Sequence, residues 1–222
     1  MSASIYPRRR FWRLRQGWSR LLNRCRRTCH LGTWWEEMPR GYPGEPVPIL
    51  PLVHPLRYDI LLRKRFLDLL PRDPAEYRRR REEILAGARR HPYRVWFEVI
   101  VIRRYFPELL ADPARLELAF AQRVDASAAL IASIAARGFD PAHPVTLHLA
   151  ELVVGPAADR LSDRRWFAGD GNHRLACLMS LGFEELPPSY VRVIRFNRYR
   201  PRDNTALLAP HLTIDWSPEV RP

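Results

Sequence analysis

The sequence predicts an α+β fold, in which a small mixed sheet with flanking helices in the C-terminal half is extended by an Arg-rich helical N-terminal region. Three observations predict it. Apolar residues at helical spacing (Leu130, Ile131, Ile134) lead to Arg137-Gly138, with glycine at the position where a left-handed residue closes a helix. Pro144-Val145-Thr146-Leu147-His148-Leu149 then alternates in the manner of a strand. Further on, Phe167-Ala168-Gly169-Asp170-Gly171-Asn172-His173-Arg174-Leu175-Ala176 passes from a strand through a glycine turn into a helix.

Taken from the N-terminus, Tyr6 to His30 is dense in arginine and holds no acid. Phe11, Leu14, Trp18, Leu21 and Cys25 recur at three- and four-residue steps, so residues 1–40 read as a basic amphipathic arm. Such a helix can dock on its own protein, lie at a membrane surface or meet nucleic acid; docking is the expectation here. Trp34-Trp35 would anchor that arm. Residues 41–124 read as a helical and extended region that wraps the core. GYPGEPVPILPLVHP (41–55) is too rich in proline for a helix. Leu56–Leu70 has a helical rhythm stopped by Pro71, and Asp73-Pro74 opens a second helix with an N-cap and a first-turn proline. Val95–Tyr105 is apolar enough to be a buried strand or a buried helix, and periodicity does not separate the two.

Residues 125–196 form the predicted domain: a helix capped by Asp125 or Ser127, the strand at Pro144–Leu149, a polar loop with Gly155, Pro156 and Asp159, a strand near Arg165–Ala168, the helix after Gly171 closed by Gly182, and a strand at Tyr190–Phe196. Residues 197–222 read as a polar, irregular tail.

Composition bounds the partners. A formal net charge of +13 and an isoelectric point near 10.7 attract polyanions: nucleic acid, acidic lipid or phosphorylated metabolites. Lys64 is the lone lysine. Three cysteines make no disulfide framework, so a reducing cytoplasm is the expected location. Cys25, Cys29 and His30 lack a fourth ligand for zinc, and Cys25 and Cys29 would share a packing face. His54, His91 and His143 each stand beside a proline and read as structural. No apolar run approaches the roughly 18–20 residues of a membrane span.

The glycine turn carries the chemistry. The first N–H groups of a helix have no partner within it, and the helix dipole is positive there. Glycines 169 and 171 let a ligand approach the backbone, so an anion such as phosphate is the natural occupant. Arg174 adds a fork of donors, and His173 can donate, accept or shuttle a proton. The alternative is that Asp170 caps the helix while His173 and Arg174 pair with nearby acids.

The order helix, strand, DGNHR, amphipathic helix, Leu181-Gly182, strand resembles the ParB/sulfiredoxin-like superfamily over residues 125–196. ParB partition proteins have a G-E-R-R turn; Gly171, His173 and Arg174 match, and Asn172 replaces the acid. Sulfiredoxins have G-C-H-R; Asn172 stands at the cysteine, and an amide is no nucleophile, so their chemistry is excluded. Free-serine kinases of the superfamily have a D-G-x-x-R turn, matched by Asp170, Gly171 and Arg174. The resemblance implies a nucleotide, ATP or CTP, with Mg²⁺. It places Gly169, Gly171, Asn172 and Arg174 on the phosphates, Asp170 on the turn and the metal, and His173 at the transferring group. Phosphoryl transfer to a small hydroxylated acceptor, or nucleotide hydrolysis, would follow. An acid from elsewhere would then activate the acceptor; Glu98 and Glu151 lead, with Glu108 and Asp125 behind. The alternative function is a non-catalytic DNA-associated protein, although a partition protein would carry a helix-turn-helix where this chain has its polar tail.

Overall fold

The computed structural model describes residues 19–20, 22–29, 32–53, 55–154, 159–197 and 202–216; for 151–154 and 159–165 it describes the backbone only. The chain forms β1 (Trp35–Glu37), β2 (Val47–Pro48), α1 (Tyr58–Asp68), α2 (Pro74–Arg90), a rod α3 (Tyr93–Tyr105), α4 (Pro113–Arg137), β3 (Val145–Val154), β4 (Asp159–Asp170), α5 (Asn172–Ser180), β5 (Glu185–Leu186), β6 (Val191–Phe196) and α6 (Asn204–Leu208). It is an α+β protein, as the alternation of patterns predicts.

The main sheet is mixed, in the order β1-β6-β3-β4. Strand β6 runs parallel to β3, with Val191 opposite Val145, and antiparallel to β1, with Phe196 opposite Trp35. The β3–β4 hairpin sets Thr146 opposite Asp170 and Leu149 opposite Trp166. Strand β1 lies outside the region in which strands were expected. Its place is secured by Asn23, which donates to the Trp35 carbonyl at 2.6 Å and accepts from the Trp35 N–H at 2.8 Å. The helical turn at 22–28 thus docks on the sheet edge. Of the predicted apolar face of the arm, Phe11, Leu14, Trp18 and Leu21 lie outside the described residues, as does His54. Cys25 and Cys29 are exposed, so packing does not account for their spacing.

Helix α2 starts where the sequence placed it, with Asp73 accepting from the N–H groups of Ala75 (2.8 Å) and Glu76 (3.3 Å). Helix α4 does not. It begins at Pro113, capped by Asp112, a full three turns before the expected Asp125 or Ser127. The apolar face that defines it already includes Leu116, Ala119 and Phe120, and the two supposed caps have other partners. Asp125 accepts both arms of Arg81 (2.8 Å each) and the Tyr77 hydroxyl (2.7 Å). Ser127 donates to the Arg123 carbonyl at 2.8 Å. The other end agrees with expectation: Gly138 has φ +77°, and its N–H donates to Ile134. By length and composition α4 would also suit a membrane span. Here Phe120, Val124 and Ile131 are instead buried in the protein core.

Val95–Tyr105 resolves to helix. Rod α3 is α-helical over Tyr93–Trp96, π-helical over Phe97–Ile102 and α-helical again over Arg103–Tyr105. Such wide turns recur at functional sites. The tail, expected to be irregular, carries α6, whose Thr205 hydroxyl donates to the Pro55 carbonyl (2.6 Å) and accepts from the Tyr58 N–H (3.1 Å). Trp216 packs edge-on against Tyr58, with ring centroids 5.2 Å apart.

One hydrophobic cluster joins these pieces, running from Val47 to Leu208 across both halves of the chain. At its centre the Tyr93 ring stacks on Phe66 (4.0 Å) and Trp96 (4.9 Å). Each fully buried side chain of this size contributes roughly 1.5–3 kcal/mol. The motif helix α5 enters the cluster through Leu175, Ala176, Cys177 and Leu178, all at 0% exposure. Burial raises the Cys177 thiol to about 12, which keeps it protonated and inert, in line with a core role.

Gly169 is fixed by space alone. A β-carbon there would sit 2.3 Å from Nε2 of His148, a ring held between strands. Gly169→Ala is therefore expected to cost about 1–3 kcal/mol in a urea unfolding experiment; a variant as stable as the parent would show that the His148 ring yields freely.

Candidate anion-binding site

Strand β4 ends at Asp170 and helix α5 begins at Asn172, so one residue turns the chain. That residue is Gly171, in the left-handed region at φ +76°. The turn is closed by its own side chains: Asp170 Oδ1 accepts from the Gly171 N–H (2.6 Å), and Asn172 Nδ2 donates to the Gly169 carbonyl (3.0 Å). The Arg174 side chain folds back beneath it. A β-carbon on Gly171 would lie 2.9 Å from Arg174 Nη2, which donates to the Pro144 carbonyl at 3.1 Å.

The turn faces a cavity of about 980 Å³. Its lining brings Gly169, Asp170, Gly171, Asn172, His173 and Arg174 together with Arg57, Arg63, Trp96, Arg123, Arg202 and Asn204. Ile100, Val101, Arg104, Tyr105 and Phe106 from the end of α3 complete one side. Among the described residues, six arginines thus line the cavity beside a single carboxylate, Asp170. The region 41–124 contributes most of the wall opposite the turn, so it forms part of the site itself.

A second carboxylate organises that wall from below. Asp59 is at 0% exposure and accepts from Arg57 through Nε (2.9 Å) and Nη2 (3.2 Å), and from Arg63 through Nη2. Asn204 adds a further hydrogen bond. Burial alone would raise this carboxyl, but Arg63 and Arg57 together hold it below the usual carboxylate range. Arg57 also donates through Nη1 to the Ala168 carbonyl at 2.5 Å, one residue before the glycine turn. The wall and the motif are therefore tied directly to each other.

Around the network the positive charge is concentrated. The guanidinium carbons of Arg63 and Arg123 lie over the Trp96 ring, 4.4 and 5.4 Å from its centroid. Burial is the main cause that lowers Arg63 to about 10, with Arg57 and Arg123 adding repulsion and Asp59 opposing it. Arg202 is also lowered, by burial first and then by Arg104. Such a cluster leaves polar atoms to spare. Arg63 Nε, Arg174 Nε, Trp96 Nε1, Asn172 Oδ1 and Asn204 Oδ1 are buried and have no hydrogen-bond partner among the described residues; all five belong to residues lining this cavity. Buried polar atoms without partners are rare in folded proteins, and their gathering at one cavity points to a polar ligand.

His173 is committed to the protein. Arg123 Nη2 donates to Nδ1 at 2.9 Å, which places the ring proton on Nε2, facing the Ser127 hydroxyl (2.9 Å) and the Tyr93 hydroxyl (3.3 Å). Burial first, then Arg123 and Arg63, push its pKa well below the ordinary 6.5. Neutral, with both nitrogens engaged, the imidazole positions Arg123. The ring nevertheless lines the cavity, where it was expected to meet a transferring group.

The candidate bases are dispersed. Glu98 pairs with Arg94 at 2.5 Å and does not line the cavity. Glu108 is exposed outside it, and Asp125 is held by Arg81 and Tyr77. Glu151 lies on β3 opposite Arg164, and its side chain is outside the described residues. Among the described residues no three His, Cys, Asp or Glu side chains gather as metal ligands. Arg57, Arg63, Trp96 and Arg123 are not linked by any one local pattern; the available signal was an Arg-x-Asp-x-x-x-Arg spacing that begins at Arg57, just before α1, and covers two of the four.

No protein-family model, no curated protein and no solved structure matches the chain.

Two half-buried histidines beside the turn contribute to a pH dependence of stability. His148 is pushed down to about 4, by burial first and then by Arg57, against the pull of Asp170. Between pH 6.5 and about 4 the unfolded chain takes up protons at His148 and His173 that the folded chain refuses, so stability falls as pH falls through this window. Urea midpoints measured across that range should drop toward acid, and His148→Gln should flatten the drop. A parent midpoint that does not change would contradict the buried neutral state.

Proposed function

We propose that this chain binds a nucleotide through its phosphates, in the cavity between the Asp170–Arg174 turn and the arginine wall. The observation that carries the reading is the lining itself: six arginines, one carboxylate, and buried donors of Arg63, Arg174 and Trp96 with no partner among the described residues. Arginine forks suit phosphate oxygens, and the burial of Arg57 and Arg63 strengthens such contacts. The glycine turn brings main-chain N–H groups to the same place. The likeness of DGNHR to the turns of ParB/sulfiredoxin-like proteins supports the same reading, in which Gly169, Gly171 and Asn172 shape the cradle and Arg174 grips a phosphate. The base and sugar have an apolar neighbour in the Ile100–Phe106 end of α3.

Binding is better supported than catalysis. A kinase-like step needs a carboxylate near the acceptor hydroxyl, and among the described residues Asp170 is the one acid that lines the cavity. Mg²⁺ typically takes one or two carboxylates together with substrate phosphates, so Asp170 would hold such an ion if it enters with a triphosphate. The engagement of His173 by Arg123 and Ser127 favours a structural role for that imidazole.

Thermal shift with ATP, CTP, GTP and ADP, with and without Mg²⁺, tests the reading. At least one nucleotide is expected to stabilise the protein. Arg174→Ala should weaken that ligand about ten- to a hundredfold, since a charge-assisted contact contributes roughly 1.5–3 kcal/mol, and the lost bond to the Pro144 carbonyl should lower the unfolding midpoint without ligand only modestly. Asp170→Asn should leave metal-free binding intact and, for a catalytic protein, remove any phosphate release. If no nucleotide shifts the parent, the reading is wrong.

A further inference from the structure

We propose that the arginine cavity is the middle of a longer groove that holds a single strand of nucleic acid. The proposal rests on the phosphate-binding reading above and goes beyond it in ligand length. A second cavity, of about 600 Å³, shares Arg104 and Arg202 with the central one and adds Arg103 and His211. A third, of about 580 Å³, shares Leu130 and Arg174 and adds Arg137 and His143. Volumes that share lining side chains adjoin, and the proposed path runs through all three, with the glycine turn in the middle one. Among the described residues eight arginines line the path (57, 63, 103, 104, 123, 137, 174 and 202), against two carboxylates, Asp140 and Asp170.

A mononucleotide engages only the central part of this path and leaves Arg103 and Arg137 at its ends unused. A phosphodiester chain reaches them, with repeated charges matched to repeated guanidinium groups. The lining also distinguishes a nucleic acid from a bare anionic polymer. Tyr105 is 57% exposed, with the Arg104 guanidinium 4.9 Å from its ring centroid, and it stands beside Phe106, Ile100 and Val101. Such a platform stacks bases, and inorganic polyphosphate has nothing to place on it. Because the arginines line recesses rather than a flat face, a flexible strand fits and a stiff duplex does not.

The test uses the full chain, with fluorescence anisotropy of labelled oligothymidylates of four, eight and twelve nucleotides. Affinity is expected to rise about tenfold or more from the shortest to the longest, within the site sizes of about 4–16 nucleotides that single-strand binders cover. It should fall steeply with salt, and ATP should compete. Arg103→Ser combined with Arg137→Ser should weaken the twelve-mer about tenfold and leave ATP affinity unchanged, since neither side chain lines the central cavity. Three results overturn the groove while the nucleotide reading stands: a twelve-mer no tighter than ATP, a duplex that binds as well, or polyphosphate that matches the twelve-mer. A twelve-mer that binds when ATP does not overturns the nucleotide reading and retains the groove. Binding of neither overturns both.

Discussion

The buried carboxylate of Asp59 is the interaction on which the rest of this molecule depends. A lone carboxylate at zero exposure would be untenable, and two guanidinium groups in the same place would repel. Together they form a knot in which one guanidinium is balanced and one surplus positive charge remains beside the cavity. Arg57 links the knot to the end of β4, Arg63 links it to Trp96, and Asn204 brings in α6. Removing the carboxylate would leave two guanidiniums unmatched in the interior, so the fold and the charged wall are held by one group.

This arrangement explains why arginine rather than lysine fills the wall. A guanidinium can hold a carboxylate with one edge and keep other N–H groups for a ligand, and its flat face lies on an indole ring. Arg63 does all three: it binds Asp59, covers Trp96, and retains a buried Nε without a partner among the described residues. An ammonium group would offer neither the fork nor the flat face.

The C-terminal part of the fold was legible in the sequence because its signals are local. The Gly138 cap, the alternation after Pro144 and the glycine turn at 169–171 each occupy a few adjacent residues, and the strands and α5 follow them. The turn half of the site was legible for the same reason. Its other half was not, since Arg57, Arg63, Trp96, Arg123 and Asn204 meet only through tertiary packing. The start of α4 was misplaced because Asp125 and Ser127 resemble caps, and nothing near them reveals Arg81, Tyr77 or His173 as their partners. The strand at Trp35–Glu37 was missed because three residues show no period. The role expected of His173 followed from its place in the motif, whereas its partners come from α3 and α4.

The wide turns of α3 set the phase of everything that follows them. Phe97–Ile102 winds with i→i+5 hydrogen bonds, and so holds about one residue more than an ordinary helical turn would. Each residue of an α-helix advances the rotation by about 100°. Excising one residue from this stretch would restore a regular helix and swing Arg104 and Tyr105 around the axis, away from the recess that Trp96 lines. The irregular winding therefore acts as a phase adjuster: it lets one rod present an indole to the interior at its start and a guanidinium and a phenol to the same recess at its end.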